Sequence, residues 1–306
     1  MDRNAPLGPA PAGIGAGAGP GRAAAAFPAL LAARRQQARL RVGTAAFLLA
    51  ACVALAAHVS EFDLLALIEG FPKTADFLSR LVPPIRADHL GEDFASWYWG
   101  AGKWLHLLAT TLIVAFLATT LGTVSGGVLS FYASRNLVRS GLVYWITRRF
   151  LEVARSVPDL VWALIFVFSF GLGPLSGMLA IAVHTAGAQG KLFAEANENI
   201  DMKPVLGIRA AGGRWADEIS FGVLPQVLPN FVSYTFWRFE VNVRLATVVG
   251  FVGAGGIGME LYESISLGYF DDAGAILLIV AVTVFCIDIA SEHLRLRFAG
   301  VSAGHP

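Results

Sequence analysis

The sequence has few charged residues, and this shortage limits the class of protein. Only 15% of the 306 residues are Asp, Glu, Lys or Arg, whereas soluble domains carry about a quarter. Hydrophobic residues make up 56% of the chain, and the mean hydropathy is +0.62. Long uncharged runs of this kind are typical of membrane-spanning helices. The composition therefore predicts an all-α, polytopic membrane protein.

Three further shortages exclude other classes of function. The net charge is only +1, so no nucleic-acid partner is predicted. The two cysteines, Cys52 and Cys286, lie in apolar runs and are expected to be buried apolar residues rather than a disulfide or a metal pair. No Walker A motif and no zinc-ligand spacing occurs in the sequence, so neither ATP hydrolysis nor a metal site is predicted for this chain.

Apolar runs and composition divide the chain into four parts. Residues 1–33, rich in Ala, Gly and Pro, predict a disordered tail. Residues 34–103 contain a first span, Val42–Val59, followed by an external amphipathic segment; a signal peptide is the alternative, but the region before the run is long for one. Residues 104–298 predict the main transmembrane domain, and 299–306 a short tail.

Five further spans are predicted in the main domain, which makes about six in all. The uncharged run Leu160–Gly190 is interrupted by Gly171–Pro174 and is therefore interpreted as two spans joined by a tight turn. The other three runs are Trp104–Ser134, Leu228–Val252 and Ala273–Ile289.

Charges at the ends of the spans predict the orientation. Basic residues precede the first span, lie at the second/third and fourth/fifth junctions and follow the last span, whereas acidic residues collect between Glu61 and Asp93 and between Glu260 and Asp272. The positive-inside rule then places both termini and the loop at 191–225 in the cytoplasm of a bacterial cell, with the spans in its inner membrane.

The stretch Leu206–Pro225 is a polar, small-residue segment in an apolar protein. Pro204 suits a helix start and Gly212-Gly213 a turn after it, while Asp217 and Glu218 favour the start of a second short helix. Small residues allow a partner to approach closely. An ordinary connection between two spans is the alternative.

This stretch resembles the cytoplasmic loop of ABC-importer permeases, in which an acidic residue and two alanines precede a glycine and Ile-x-Leu-Pro follows. Gly212 matches that glycine, and Val223–Pro225 falls at the matching distance. The departures are Leu206 in place of Glu, Gly207-Ile208 in place of the alanines, and Gly222 in place of Ile. The resemblance implies that the residues contacting an ATPase are Leu206, Gly207, Arg209, Ala210, Ala211, Gly212, Gly213, Leu224 and Pro225.

Longer stretches resemble one branch of that family, the phosphonate-importer permeases. They are His184–Glu195, Gly222–Pro229, Phe239–Gly250 and Val252–Gly258, of which the last is shared with methionine-type permeases. The resemblance implies a type I importer permease with a cytoplasmic coupling helix. It implies a homodimer in membrane lipid, two ATPase subunits that hold ATP and Mg, and a periplasmic or lipid-anchored substrate-binding protein. This chain would bind no cofactor and would not itself be an enzyme.

The missing acid at Leu206 leaves two alternatives. Leucine loses the favourable interaction of a carboxylate with the helix dipole and offers an apolar contact, which predicts an apolar groove on the ATPase. Alternatively, Asp201 takes over the capping role.

Ionisable residues inside the fifth span are candidates for the translocation path. Arg238, Glu240, Asn242 and Arg244 follow one another there, and Glu240 and Arg244 have the spacing of an intrahelical pair. One reading is that the charges only hold helices together; the other is that an arginine attracts an anion along the path. Import of phosphate, phosphite or methionine, or a role as an intramembrane enzyme, are alternative functions, although no convincing catalytic pair is present.

The run Gly253–Gly258 satisfies the dinucleotide pattern G-x-G-x-x-G. The strand that such a site needs is absent, so a tightly packed or flexible turn lining a gate is predicted instead. Its glycines are Gly253, Gly255, Gly256 and Gly258. A second pair of glycines, Gly122 and Gly126, has the spacing of close helix packing.

Overall fold

All regular structure in the described part of the chain is helical, as predicted. The computed structural model describes the backbone of residues 20–84, 86 and 88–302, and side chains from residue 34 to residue 297 apart from residues 64, 85 and 87. These residues form two units, which divide between Thr74 and Ala75.

The first unit contains helix α1 (Pro20–Val59) and most of α2 (Leu64–Arg80). Its segment Arg34–Val59 is long and apolar enough to cross a membrane. Of the predicted disordered tail, residues 1–19 lie outside the described residues, whereas α1 already begins at Pro20, inside the predicted tail.

The second unit contains the remaining helices. The large helices are α4 (Ala101–Tyr132), α7 (Pro174–Glu198), α10 (Leu224–Val249) and α12 (Phe270–Ser302). Shorter helices lie between them: α3 (Leu90–Trp97), α5 (Gly141–Ser156), α6 (Asp159–Phe170), α8 (Met202–Ala210), α9 (Trp215–Asp217) and α11 (Ile257–Ser266). A π-helical turn, Glu218–Val223, leads directly into α10, and a 3-10 turn, Gly250–Val252, follows it.

Helices α4 and α7 form the centre of this unit because glycines let their backbones approach. A Cβ atom at Gly122 would lie 2.6 Å from the Thr185 side chain, and one at Gly126 would lie 2.8 Å from the carbonyl oxygen of Ala186. The predicted role of this glycine pair in close packing is therefore confirmed. Helices α6 and α10 add to the same core through apolar residues such as Ala163 and Val243.

The break in Leu160–Gly190 is confirmed, but its first half is not a full span by itself. Gly171 and Gly173 have positive φ angles of 87° and 144° between α6 and α7. Helix α6 has 12 residues, which gives a length of about 18 Å, less than the hydrocarbon core of a bilayer. It continues α5 after a bend of 91°, and the two are long and apolar enough only together, as a broken span or a re-entrant loop.

Within the described residues, three helices are long and apolar enough to cross a membrane, or up to five segments if each bent pair counts as one span. The three are Arg34–Val59, Ala101–Tyr132 and Phe270–Arg297, and the second bent pair is Trp215–Val252 with Ile257–Ser266. The difference from the predicted six lies in α7, which is not among these segments, while the predicted spans in α6 and α10 pass only together with α5 and α11.

Both cysteines are free and exposed, so the prediction that they are buried is wrong. Cys52 lies on α1 and Cys286 on α12. On a membrane-spanning helix an apolar run does not imply burial inside the protein, because an outward face contacts lipid rather than water.

Candidate functional site

The segment between α7 and α10 folds into a compact structure, and we name residues 199–223 the knuckle. Its main element is α8, which begins after Asp201, whose side-chain oxygen accepts a hydrogen bond from the Lys203 N–H at 3.0 Å. Pro204 lies in the first turn, and Gly212, at a φ of 85°, turns the chain after the helix. The predicted helix start, turn and Asp201 cap are confirmed.

One face of α8 packs tightly on the π-helical turn. Val205 is fully buried in a cluster with Phe193, Val223 and Phe231. A Cβ atom at Gly222 would lie 3.0 Å from the Val205 side chain and 3.1 Å from its Cα. Gly222 therefore lets α8 pack directly against the π-helical turn that precedes α10.

A bidentate ion pair ties the end of α8 to the same turn. Arg209 donates from Nε to Glu218 Oε1 at 2.9 Å and from Nη2 to Oε2 at 2.7 Å. The Glu218 side chain is only 4% exposed, and the Arg209 side chain 38%. The hydrogen bonds between the two side chains raise the pKa of Arg209 and lower the pKa of Glu218, so the pair stays ionised throughout the neutral pH range. Nothing in the local sequence pattern indicates this pair, because its partners are nine residues apart on two different elements.

Hydrogen bonds anchor both ends of the knuckle to the neighbouring helices. Trp215 donates from Nε1 to the Leu137 carbonyl in the α4–α5 connection at 3.1 Å. On the other side, the Gln226 side chain of α10 bonds to both the backbone N–H and the carbonyl of Asp201, each at 3.1 Å. The knuckle is therefore tied both to α10 and to the α4–α5 connection.

Most of the predicted contact residues lie on the outer side of the knuckle. Leu206 is 51% exposed, and a Cβ atom at Gly207 would meet nothing within 4 Å. Of the others, Arg209 and Ala210 end α8, Ala211, Gly212 and Gly213 form the turn, and Leu224 and Pro225 begin α10 instead.

The charged residues of α10 separate into two groups. Arg244 bonds to Glu240 at 2.8 Å, as the spacing predicted, and also to Asp288 of α12 at 3.1 Å. Arg295 lies 3.7 Å from Glu240. The Arg244 side chain is 44% exposed, while that of Glu240 is 14% exposed.

Arg238 is buried on a different face of α10. Its Nη2 lies 2.6 Å from His184 Nδ1, its Nε donates to Thr185 at 3.3 Å, and His184 Nδ1 in turn lies 2.9 Å from Asp159 Oδ1. Asn242, one turn on, is fully buried and donates to Thr119 of α4 at 2.9 Å. His184 is thus a hydrogen-bonded residue of the core, as predicted. Asp159 was not predicted, and its place after Pro158 at a helix start was the available signal.

The glycine run Gly253–Gly258 forms a tightly packed turn between α10 and α11. Gly253, Gly255 and Gly256 have φ angles of 91°, 75° and 75°. A Cβ atom at Gly258 would collide with the Thr247 carbonyl, and the next-door Ile257 N–H donates to Thr111 of α4 at 2.9 Å. A helix, not a strand, precedes the run, in agreement with the rejection of a dinucleotide site.

No group of three His, Cys, Asp or Glu side chains among the described residues is arranged to hold a metal ion. The candidate functional residues considered below lie in the knuckle and among the polar residues of α10.

Comparisons with known proteins give the context for this geometry. Residues 122–299 match the family described as "Binding-protein-dependent transport system inner membrane component". The chain is 37% identical over 241 residues to a phosphite transport system permease protein, PtxC, of Stutzerimonas stutzeri, covering 79% of this chain and 83% of that protein. It is 36% identical over 257 residues to a phosphate-import permease protein, PhnE, of Mycolicibacterium smegmatis, covering 84% of this chain but only 46% of that longer protein.

A third relative matches over a shorter length. It is a cryptic phosphonate transport system permease protein, PhnE2, of Escherichia coli, 50% identical over 121 residues, or 40% of this chain and 99% of that one. Among solved structures, an inward-facing MetNI methionine ABC transporter matches with a TM-score of 0.55 at 19% identity, over 64% of this chain and 95% of that chain. A bacterial ABC transporter that imports alginate matches with a TM-score of 0.58 at 15% identity, over 86% and 99%. These two likenesses establish a common fold.

Proposed function

The chain belongs to the family of binding-protein-dependent transport system inner membrane components, and from that premise we propose that it forms the translocation path of an ATP-driven importer for phosphorus oxyanions. The observation that carries the proposal is the similarity, over 79% and 84% of the chain, to permeases named for phosphite and for phosphate. The match to a phosphonate permease supports the same substrate class. The chain is thus a transport subunit, and ATP hydrolysis belongs to a separate ATPase.

The partners follow from this role. Two ATPase subunits bind ATP and Mg, a periplasmic or lipid-anchored binding protein delivers the oxyanion, and a second copy of this chain completes the path. This chain itself binds no cofactor. The positive charges at span ends orient the protein in the bacterial inner membrane with both termini and the knuckle in the cytoplasm.

The knuckle is the proposed contact with the ATPase. Its outer side offers the half-exposed Leu206 and the open surface over Gly207, while its inner side is fixed by Val205 and by the Arg209–Glu218 ion pair. A rigid element of this kind transmits a movement of the ATPase to α10 and, through Trp215, to the α4–α5 connection. Closure of the ATPase pair then shifts the helices between two arrangements.

Within the path, Arg244 is the favoured contact for the oxyanion. A residue that attracts a passing anion has to be accessible, and Arg244 lies on an exposed stripe of α10 with Trp237 and Val248, whereas Arg238 is only 6% exposed. A guanidinium group suits phosphorus oxyanions because it donates several hydrogen bonds in one plane. In this proposal Glu240 and Asp288 position Arg244, while Arg238 and Asn242 hold α10 to its neighbours. The glycine turn at 253–258 closes the path as a gate.

The proposal is tested by ATP hydrolysis in the complex reconstituted with its ATPase and binding protein in lipid vesicles. Binding protein loaded with phosphite, phosphate or a phosphonate should stimulate hydrolysis several-fold over unloaded protein. Hydrolysis that responds to none of the three oxyanions would contradict the substrate class.

A further inference from the structure

A cleft beside the knuckle has the chemistry of a phospholipid site. It has a volume of about 470 Å³ and lies where the α4–α5 connection meets the chain after α8. Its lining combines apolar and aromatic residues with two arginines: Tyr132, Leu137, Val138, Arg139, Ser140, Val143, Gly213, Arg214 and Trp215.

Two aromatic rings in this lining are held in fixed positions. The rings of Tyr132 and Trp215 are 5.2 Å apart, and the indole N–H is bound to the Leu137 carbonyl. The cleft is therefore built by contacts between two separate parts of the chain and is not the gap beside a single loop. Aromatic residues with one polar and one apolar end are typical of the membrane–water interface.

The two arginines leave positive charge available to a ligand. Arg139 is exposed and makes no ion pair in the described part of the chain; its charge acts on Glu218, a carboxylate that Arg209 already binds. Arg214 is 87% exposed and forms a loose ion pair with Asp217 at 3.6 Å, which leaves most of its surface open. Both guanidinium groups are thus accessible to an anion.

An exposed apolar stripe continues from the cleft along α5. Leu142, Trp145 and Ile146 are 67%, 58% and 52% exposed, followed by Phe150 at 55%. The opposite face carries Arg148, which pairs with Glu198 at 3.0 Å. The stripe is therefore the side of α5 that is turned away from the rest of the described chain. The stripe distinguishes an anionic lipid from a free anion, because a free anion has no use for apolar surface beside its binding groups.

We propose that this cleft binds the headgroup of an anionic phospholipid, with the phosphate on Arg139 and Arg214 and an acyl chain along the apolar stripe of α5. Basic pockets at the cytoplasmic side of membrane helices bind lipid headgroups in this way. The proposal rests on the cytoplasmic orientation of the knuckle in the proposed function. A lipid bound there touches the turn after α8 and supports the position of the knuckle.

The test measures how much phosphatidylglycerol stays on the purified permease–ATPase complex, by native mass spectrometry after exchange from vesicles of phosphatidylglycerol and phosphatidylcholine. The double variant R139Q/R214Q should lower phosphatidylglycerol occupancy by about tenfold or more, since each arginine near an anionic headgroup contributes substantially to binding. The matched control R80Q/R86Q removes two exposed arginines outside the cleft and should leave occupancy unchanged. Millimolar glycerol phosphate should not displace the lipid.

A second variant keeps the test decisive if the double variant does not fold. Val143→Trp fills the cleft and leaves both arginines in place, so it should also displace the lipid. Unchanged lipid occupancy in either folded variant would overturn the proposal, and so would an equal loss in the control. Loss of ATPase binding with lipid retained would assign the cleft to the ATPase instead. Lipid retention is measured without ATP turnover or oxyanion, so its failure is distinct from failure of the proposed importer function.

Discussion

Leu206 stands on the outer side of α8, at a position where the resembling loops have glutamate. Helix α8 begins at Met202, so Leu206 lies in its second turn, beyond the N-terminal turn in which a carboxylate interacts with the helix dipole, and Asp201 already caps the helix. An apolar side chain that is 51% exposed is then available for a contact with a partner. This favours a matching apolar groove on the ATPase.

Leu206→Glu tests that reading at the level of one residue. The variant chain should fold, because the side chain at position 206 is exposed. A charge placed in an apolar groove of the ATPase should weaken ATPase binding by about tenfold or more. Co-purification and coupled ATP hydrolysis are the measurements, with Lys203→Glu on the same helix as the control. Unchanged assembly and hydrolysis in the leucine variant would mean that Leu206 has no special role.

Arg244→Ala tests the proposed contact with the oxyanion. Uptake should fall by about tenfold or more, the effect expected from removing one charged donor, while membrane insertion and ATPase binding remain. Arg149→Ala is the matched control, since it removes an arginine of similar exposure that pairs with Glu152 on α5, and it should leave uptake unchanged. Normal uptake by the alanine variant would rule out a path role for Arg244.

Some of these contacts could be predicted from the sequence and others could not. Glu240 and Arg244 are one helical turn apart, so the local spacing was sufficient. Arg238 meets His184, which is 54 residues away, and His184 meets Asp159 on a third helix. Contacts of this kind depend on which helix faces are brought together, and periodicity along one helix does not contain that information.

At the scale of elements, the approach of α4 to α7 depends on two glycines. Gly126 lies against the backbone of Ala186, whereas a Cβ atom at the adjacent Gly127 would lie 3.9 Å from Phe193, an ordinary contact distance. The two positions are neighbours on one helix, and only Gly126 lies against another backbone. Alanine substitutions at the two positions therefore distinguish the effect of helix packing from the effect of helix propensity.

Gly126→Ala should destabilise the protein by about 1–3 kcal/mol, because one backbone would have to move away from the other. Gly127→Ala should be neutral or stabilising by up to about 1 kcal/mol, since alanine favours the helix. The unfolding temperature of the purified protein is the measurement. Equal effects of the two substitutions would contradict the close packing of α4 on α7.

The elements themselves were partly predictable. Paired glycines marked the break between α6 and α7, because a positive φ is readily adopted only by glycine. The helix α5 was missed because Arg148, Arg149 and Arg155 interrupt its apolar residues, and a charge-free run was the criterion for a span. Helix α5 accommodates these charges because it is bent by 91° from α6. One of its faces is apolar and exposed, and Arg148 on another face pairs with Glu198.

At the scale of the whole molecule, the orientation in the membrane is predicted from the distribution of charged residues along the chain and not from contacts between helices. Basic residues lie near the chain ends and near the knuckle, and acidic residues lie in the segment around α2 and α3. The expected topology places both termini on the cytoplasmic side.

Reporter fusions measure this topology directly. Green fluorescent protein at either terminus should fluoresce, and alkaline phosphatase inserted after Asp88 should be active, since it folds only outside the cytoplasm. Phosphatase activity from a fusion at the C-terminus would contradict this topology, because the knuckle would then lie on the side away from the ATPase. Reporters inserted in the α8–α9 turn should give the same result as those at the C-terminus.

The central claim is that this chain conducts phosphorus oxyanions when an ATPase drives it through the knuckle. The most direct measurement is uptake of labelled phosphate into vesicles that contain the permease, its ATPase and its binding protein, with phosphite and phosphonate as competitors. Uptake should require ATP and be reduced by at least one of the competing oxyanions, and methionine should have no effect. ATP-independent uptake, or no uptake of any of the three oxyanions by a complex that hydrolyses ATP, would contradict the claim.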